Sequence, residues 1–266
     1  MTGPATSSRS GLRTEATIAA LNARIRIREL AGIDEIGEAE RFFARIRARE
    51  GNPSVSRELL RAVSDGGGYL GGAYAGRVLI GATLGFHAAP DRRLLCSYIT
   101  GRDPEFTSCS IGFAMKLHER AWAAERDIAA VEWTFDPLVG RDAHLYLGKL
   151  GAAPMAYLEH LHDDVSGDTS MGRDETDRLL VRWDVLEPAA TAARDGDDSL
   201  TDNSNETWSF VPVPEDIVSL RSIDPEGAHR WRLALREQLA EHRNAGDRIA
   251  GFDRARGYIL RKGYAT

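Results

Sequence analysis

The segment 131–136 alternates apolar and polar side chains, and this alternation limits what the chain can fold into. Successive side chains of a strand point to opposite faces, so Val131, Trp133 and Phe135 predict a strand with one buried face. The other face is polar and carries Glu132, Thr134 and Asp136. The chain must therefore build a sheet in which this strand covers a core on one side and presents carboxylates on the other.

Length and composition exclude several classes of protein. The 266 residues suffice for one large domain or two small ones. A net charge of −6 disfavours a general nucleic-acid binder. No apolar run approaches the ~20 residues of a membrane helix, and the polar N-terminus lacks the apolar region of a signal peptide. Two cysteines cannot form a disulfide framework or a four-cysteine zinc site. We therefore expect a cytoplasmic protein that binds neither nucleic acid nor a membrane.

The order of periodic segments predicts an α/β protein with four parts. Residues 1–23 have no sustained period and predict a disordered tail. Residues 24–186 follow the order β-α-α-β-β-β-α-β-α-β-β, which indicates one sheet with helices around it. Residues 187–207 are polar and predict a linker, and residues 208–266 predict a helix followed by a hairpin.

The C-terminal part is too short to form a stable domain by itself. Its helix starts at Asp224 and Pro225 and carries an apolar stripe of Trp231, Leu235 and Leu239. About 60 residues bury little surface when they fold alone. We therefore expect residues 208–266 to dock on the main domain or on a partner subunit, in the second case as a homodimer.

Five stretches of the sequence carry a resemblance to a known family. They are SIGFAMKLHERAWA, VEWTFDPLVGRDAHLYLGKLGA and TDRLLVRW in the main part, and VPVPEDIVSLRSIDP and WRLALREQL in the extension. With them, residues 25–185 resemble the GNAT acyltransferases, which move acyl groups from acyl-CoA to amines, and above all a sub-branch with a C-terminal extension. The resemblance implies an α/β (α+β) fold with a mixed, mostly antiparallel central sheet flanked by helices.

The resemblance places the pyrophosphate of CoA at residues 107–112, before the helix that precedes the 131–136 strand. The family's loop has two glycines and a basic or amide residue; here Gly112 is kept, while Ser110 and Thr107 replace the other two. Glycines let backbone N–H groups approach a phosphate at a helix N-terminus. The predicted cofactor residues are Ile99, Thr100, Ser108, Cys109, Ser110, Ile111, Gly112, Phe113 and Asp142. An ordinary serine-rich helix cap is the alternative.

The family also uses a tyrosine that protonates the departing CoA thiolate, four residues before the glycine that ends the next helix. That position is Leu147 here, and Tyr146 stands one residue earlier. In an α-helix this shift rotates the side chain by about 100°. We predict Tyr146 as the acid, with a packing role as the alternative.

A general base must take a proton from the acceptor amine or from a water. Glu132 on the polar face of its strand is the predicted base, with a structural ion pair as the alternative, and His87 is a second candidate. Thr134 and Arg178 are the predicted acceptor-binding residues, although Arg178 would serve equally in an internal ion pair.

The combined prediction is an acyltransferase that uses acetyl-CoA or succinyl-CoA as co-substrate and acts on a small-molecule amine, possibly that of an amino acid. His160, His162 and the following aspartates have the spacing of a metal cluster, but we predict a solvated strand end and no metal. Two alternatives remain open. One is a degenerate GNAT-fold binding or interaction module, and the other is an enzyme with altered acyl-CoA chemistry, such as decarboxylation or O-acyl transfer.

Overall fold

The computed structural model describes residues 8–49, 55–106, 109–161, 177–187 and 208–263, without the side chains of Arg49 and Cys109. The chain divides into two compact units. The first unit is Met1–Trp133 with Trp183–Pro188, and the second unit is Thr134–Arg182 with Ala189–Thr266.

The first unit contains a sheet with helices on both of its faces. Its elements are α1 Arg9–Asn22, β1 Arg26–Glu29, α2 Ile33–Arg49, α3 Arg57–Asp65, β2 Tyr69–Ala75, β3 Val78–His87, a 3₁₀ turn Pro90–Arg92, β4 Leu94–Arg102, α4 Cys109–Glu125 and β5 Ala130–Phe135, whose last two residues belong to the second unit. Strands β1 to β4 are antiparallel neighbours in chain order, and β4 pairs with β5 in parallel. The predicted mixed, mostly antiparallel sheet is therefore confirmed.

Two apolar clusters hold this sheet to its helices. On one face, Phe42, Phe43 and Ile46 of α2 pack against strand residues that include Leu70 and Leu84. On the other, α4 contributes Ile111, Ala114 and Met115, which pack against Ile25, Ala73 and Ile80. Among the described residues, no helix is both long and apolar enough to cross a membrane.

The predicted disordered tail at residues 1–23 was wrong for the part that the structure describes. Ser8 accepts a hydrogen bond from the Gly11 N–H and caps α1, which packs against α4. Leu12 and Ala16 are buried, and Arg13 forms an ion pair of 3.0 Å with Glu125. The apolar face of α1 is made mostly of alanines, which let two helices approach closely but give a weak hydrophobic pattern in the sequence.

The second unit combines the chain after β5 with the C-terminal extension. Its elements are α5 Gly140–Ala143, a π-helical segment His144–Lys149, β6 Ala153–Leu158, β7 Arg178–Asp184, β8 Trp208–Val211, α6 Ile217–Ile223, α7 Pro225–Asn244, β9 Arg248–Asp253 and β10 Gly257–Arg261. Strands β6 and β7 are antiparallel, as are the three strands in the order β8-β10-β9. The last two residues of β7 belong to the first unit.

Residues 208–263 pack against the segment that follows β5. The Tyr258 hydroxyl donates a hydrogen bond of 2.7 Å to the Pro137 carbonyl, and strand β9 contacts the π-helical segment. Leu235 and Leu239 of the predicted apolar stripe are buried, and Trp231 is half-buried. The division between the units falls after Trp133, inside the predicted 24–186 domain, because this packing ties 134–182 to the extension. Except for Glu187, the predicted linker lies outside the described residues.

Asp136 links the end of β5 to the extension through charged hydrogen bonds. Its carboxylate accepts hydrogen bonds from Arg221 Nη2 at 2.5 Å, from Arg232 Nη2 at 2.8 Å and from the Leu138 N–H at 3.0 Å. Arg232 is completely buried. A buried guanidinium requires a partner of opposite charge, so Asp136 compensates the charge that the extension places in the core of the second unit.

We predict that Asp136→Ala lowers the free energy of unfolding by about 3–5 kcal/mol, because it removes a carboxylate that accepts a hydrogen bond from the buried Arg232 guanidinium. Urea unfolding of the full chain measures this loss. Glu241→Ala, which removes an exposed carboxylate from α7, should change the same free energy by less than about 0.5 kcal/mol. Equal unfolding midpoints for the two variants would contradict the role given to Asp136.

Candidate functional site

Strands β4 and β5 separate soon after they begin to pair. The parallel pairing joins Leu94, Leu95 and Cys96 to Ala130, Val131 and Glu132. Beyond this point β4 runs on to Arg102 and β5 to Phe135, and no further pairing between them is seen in the described residues. The main-chain N–H and C=O groups on that side of β4 are therefore not used by β5, and backbone polar groups of this kind need another partner.

A β-bulge in β4 lies at the same place. Leu84 of β3 pairs with Ile99, but the next residue, Gly85, pairs with Ser97, so Tyr98 is the extra residue. A bulge bends its strand and increases the local twist. Tyr98 is exposed, and its ring lies 5.8 Å from that of Phe86, which is also exposed. The opening between the strands thus has two exposed aromatic rings beside it.

Lys116 of α4 lies where the two strands separate. Its Nζ donates a hydrogen bond of 2.8 Å to Ser97 Oγ and lies 4.2 Å from the centroid of the Trp133 ring. Ser97 and Trp133 are the first residues of β4 and β5 beyond the paired segment. One ammonium group therefore contacts both strands at the point of separation.

The charge of Lys116 is compensated by Glu119. Lys116 Nζ donates to Glu119 Oε2 at 2.9 Å, and both side chains are about 1% exposed. Burial lowers the pKa of Lys116, while the charge and hydrogen bond of Glu119 act in the opposite direction. This pair was not predicted from the sequence. The available signal was a Lys and a Glu three residues apart in a helix with many apolar residues.

The predicted cofactor residues of β4 have different surroundings. Ile99 is half-buried and packs against the apolar cluster that includes Phe42. Thr100 Oγ is buried and has no hydrogen-bond partner among the described residues. Of the two, only Thr100 keeps a polar side-chain group for a ligand.

The predicted pyrophosphate loop is only partly described. Helix α4 begins at Cys109, so residues 109–112 of the predicted loop form its first turn. The first N–H groups of a helix have no partner within it. Ile111 is a core residue, whereas Ser110 and Phe113 line a cavity of about 510 Å³ against α1. Gly112 is half-buried. Thr107, Ser108 and the Cys109 side chain lie outside the described residues.

Glu132 occupies the last paired position of β5. Its Oε2 lies 3.5 Å from Arg92 Nη2, so the side chain takes part in the ion pair that was its alternative role. Burial, followed by the charge of Glu132, raises the pKa of the neighbouring Cys96 thiol. His87, the second candidate base, has its Nε2 2.9 Å from the Gly67 carbonyl oxygen.

In the second unit, Tyr146 lies on a π-helical segment and not on the predicted α-helix. The Leu150 N–H donates to the Leu145 carbonyl at 3.0 Å, which is the i to i+5 bond of a π-helix, and Gly151 ends the segment with a φ of 66°. A π-helical turn holds one more residue than an α-helical turn. The Tyr146 side chain therefore points, relative to Gly151, in about the direction that position 147 would have in an α-helix. The rotation of about 100° expected between positions 146 and 147 of an α-helix does not apply here.

Tyr146 lies beside Phe135 at the end of β5. Its ring packs edge-to-face on Phe135, with the ring centroids 5.2 Å apart. Leu147 is buried. It occupies the position four residues before Gly151, where the family has its tyrosine. Tyr146 is half-buried.

The other predicted residues of this unit are dispersed. Thr134 is exposed, and Asp142 is half-buried, with its Oδ1 3.8 Å from Arg141 Nε. Arg178 Nη1 donates to the Asp177 carbonyl at 2.9 Å. The Asp177 carboxylate is held instead by Arg236, which sequence reasoning did not single out.

The histidine cluster that resembles a metal site lies mostly outside the described residues. His160 is described, and its Nε2 accepts a hydrogen bond of 3.2 Å from Arg236 Nη1. His162 and the two aspartates after it are not described. Within the described ranges, no group of three His, Cys, Asp or Glu side chains is arranged to hold a metal ion.

Comparison with known proteins gives matches in structure alone. No protein-family model matches the sequence, and no curated protein matches it. Among solved structures, yncA from Salmonella typhimurium, described with its cofactor acetyl-CoA, has a TM-score of 0.50 and 13% identity over 62% of this chain and 96% of that chain. An acetyltransferase of the GNAT family from Streptococcus pneumoniae has a TM-score of 0.49 and 14% identity over 59% and 98%.

A third solved structure, the ribosomal-protein-S18-alanine N-acetyltransferase from Escherichia coli, has a TM-score of 0.49 and 12% identity over 62% and 96%. At an identity of 13%, the match to yncA shows a shared fold and nothing further. The fold expected from the sequence resemblance is confirmed.

We predict that Lys116→Met lowers the free energy of unfolding by about 3–5 kcal/mol, because it leaves the buried Glu119 carboxylate without its partner. The double variant Lys116→Met/Glu119→Met should recover most of the loss, since a buried pair replaced by apolar side chains is often neutral. Urea unfolding of both variants tests this. A single variant as stable as the original chain would show that Lys116 is not held in a buried ion pair.

Proposed function

We propose that this chain, which has the fold of the GNAT acetyltransferases, is an acyltransferase that moves an acyl group from acyl-CoA to the amine of a small molecule. The observation that supports this most strongly is the separation of β4 and β5 beyond Cys96 and Glu132, with a bulge at Tyr98. It leaves a strand edge whose backbone donors and acceptors are not paired with β5, in the same unit as the N-terminus of α4.

Acyl-CoA fits the chemistry of these groups. The amide groups of an extended pantetheine arm can pair with the open edge of β4 at Ile99 and Thr100, much as an added strand would. The first N–H groups of α4, around Ser108 to Phe113, would bind the pyrophosphate, and Gly112 would allow close approach. We propose Asp142 as a further cofactor contact. The acyl group would be acetyl or succinyl.

In the proposed reaction the acceptor amine attacks the thioester carbonyl. A C–N bond forms and the C–S bond breaks, while one amine proton leaves and the CoA thiolate gains a proton. Glu132 would accept the amine proton through a water, and its carboxylate would separate from Arg92 in this step. Tyr146 would donate the proton to the thiolate. Backbone N–H groups of β4 would stabilise the negative charge that develops on the carbonyl oxygen.

For the acceptor we propose a small amine such as that of an amino acid. Thr134 and Arg178 are the proposed contacts, and a guanidinium such as that of Arg178 suits a carboxylate. The exposed rings of Phe86 and Tyr98 would give an apolar surface near the acyl group.

A direct test of the proposed function is titration with acetyl-CoA and succinyl-CoA while the melting temperature is followed. We expect one of them to stabilise the chain, by ~2.7 kcal/mol at a hundredfold excess over its dissociation constant. Gly112→Pro should abolish this effect, since proline removes an N–H and fills the space above it, whereas Ser108→Ala should retain most of it.

Circular dichroism must show that Gly112→Pro keeps its helices. A chain that responds to neither acyl-CoA, and that transfers no acyl group to any amine tested, would instead be an interaction module. If folded Gly112→Pro bound acyl-CoA tightly, the pyrophosphate site would have to lie elsewhere than at the N-terminus of α4.

We further predict that Tyr146→Phe lowers kcat by 10²–10⁴-fold, the usual contribution of positioned proton transfer. Affinity for acyl-CoA should hardly change, because the phenyl ring still packs on Phe135. Tyr74→Phe, which removes a tyrosine hydroxyl that donates to Glu38, serves as the matched control and should leave kcat within a few-fold. If Tyr146→Phe also retained kcat within a few-fold, water or another group would supply the proton and Tyr146 would be a packing residue.

A further inference from the structure

The second unit contains a cavity that the proposed acyl transfer does not use. It lies between β6, α7 and β9 and has a volume of about 440 Å³. Cavities of roughly 300–1,000 Å³ commonly hold small molecules. Its apolar lining includes Leu179, Leu239, Ile249 and Leu260. Leu179 and Leu260 are almost fully buried, so packing fixes the positions of these two lining side chains.

Arg236 lines one side of the cavity, and its side chain is fixed by hydrogen bonds to Asp177. Its Nε and Nη2 donate to the two oxygens of Asp177 at 3.0 and 2.8 Å. The Tyr157 hydroxyl also donates to Asp177, at 2.7 Å, and the His160 N–H donates at 3.1 Å. Burial alone would raise the pKa of Asp177, but these hydrogen bonds outweigh it and hold the pKa below its ordinary value. Asp177 therefore stays ionised and fixes the Arg236 side chain.

Two further arginines line the cavity without such a partner. Arg243 at the end of α7 and Arg248 at the start of β9 are exposed, and neither has a hydrogen bond or ion pair from its side chain within the described residues. The nearest candidate, Asp247, is already engaged. Its Oδ2 lies 2.6 Å from His242 Nδ1, and its Oδ1 accepts from the Gly263 N–H at 3.0 Å.

We propose that this cavity is a binding site for a small apolar carboxylate. The floor of leucine and isoleucine side chains suits an aliphatic or aromatic body, and two guanidinium groups beside it suit one carboxylate. Arg236 contributes to the shape of the site more than to its charge, because the Asp177 carboxylate compensates the charge of the Arg236 guanidinium. The site is formed by the second unit alone, so it does not depend on the proposed acyl transfer.

The test is isothermal titration of the full chain with 1-naphthylacetate, a flat apolar body with one carboxylate. We expect saturable binding of one molecule per chain. The uncharged amide of the same shape, 1-naphthylacetamide, should bind at least about tenfold more weakly, because it cannot form charged hydrogen bonds with arginine. Arg243→Gln/Arg248→Gln should weaken binding of the carboxylate by a similar factor and leave binding of the amide unchanged.

Arg77→Gln is the matched control, since Arg77 is an exposed arginine in the turn between β2 and β3, in the first unit. It should leave the affinity for 1-naphthylacetate unchanged. The proposal is overturned by the absence of saturable binding, or by equal affinities in Arg77→Gln and Arg243→Gln/Arg248→Gln. Sedimentation gives a further outcome that would overturn the proposal. The chain would sediment as a dimer, Arg243→Gln/Arg248→Gln would dissociate this dimer, and 1-naphthylacetate would not change its sedimentation. The cavity would then be an interface between copies of the chain.

Discussion

The candidate site of the first unit depends on the contacts that the buried ammonium of Lys116 makes with two strands. It contacts β4 through Ser97 and β5 through Trp133, at the residues where the two strands cease to pair. A charge inside a core is costly unless it is paired, and Glu119 supplies the pair. Helix α4, which carries both charges near its middle, also carries at its N-terminus the N–H groups proposed to bind phosphate. One helix therefore contacts both strands at the opening and supplies the proposed anion site.

Charged hydrogen bonds also organise the second unit. Asp136 holds Arg221 and Arg232, and Asp177 holds Arg236, so three arginines of the extension are tied to the segment that runs from β5 to β7. This explains why the extension belongs to the same compact unit as residues 134–182. Arg243 and Arg248 take no part in these bonds, and we propose that they bind an anion in the cavity beside α7.

Sequence patterns predicted the sheet well because strand burial follows a strict period of two: Val131, Trp133 and Phe135 are buried as the alternation requires. The same patterns failed to predict features that depend on small side chains or on buried ion pairs. Helix α1 packs through alanines, which carry little hydrophobic signal, and the Lys116–Glu119 pair is buried only because tertiary packing encloses it. The π-helical turn at Tyr146 could not be predicted either, since a one-residue change in hydrogen bonding leaves no mark in composition. Catalytic roles for Glu132 and Tyr146 remain proposals.

We propose that acyl-CoA binds along the open edge of β4 and at the first turn of α4. Hydrogen–deuterium exchange of the full chain, with and without saturating acetyl-CoA or succinyl-CoA, measures this directly. We expect slower exchange of the amides of residues 97–102 and 109–113, with no change in β8, β9 and β10. Unchanged exchange at both segments in the presence of a bound acyl-CoA would contradict it.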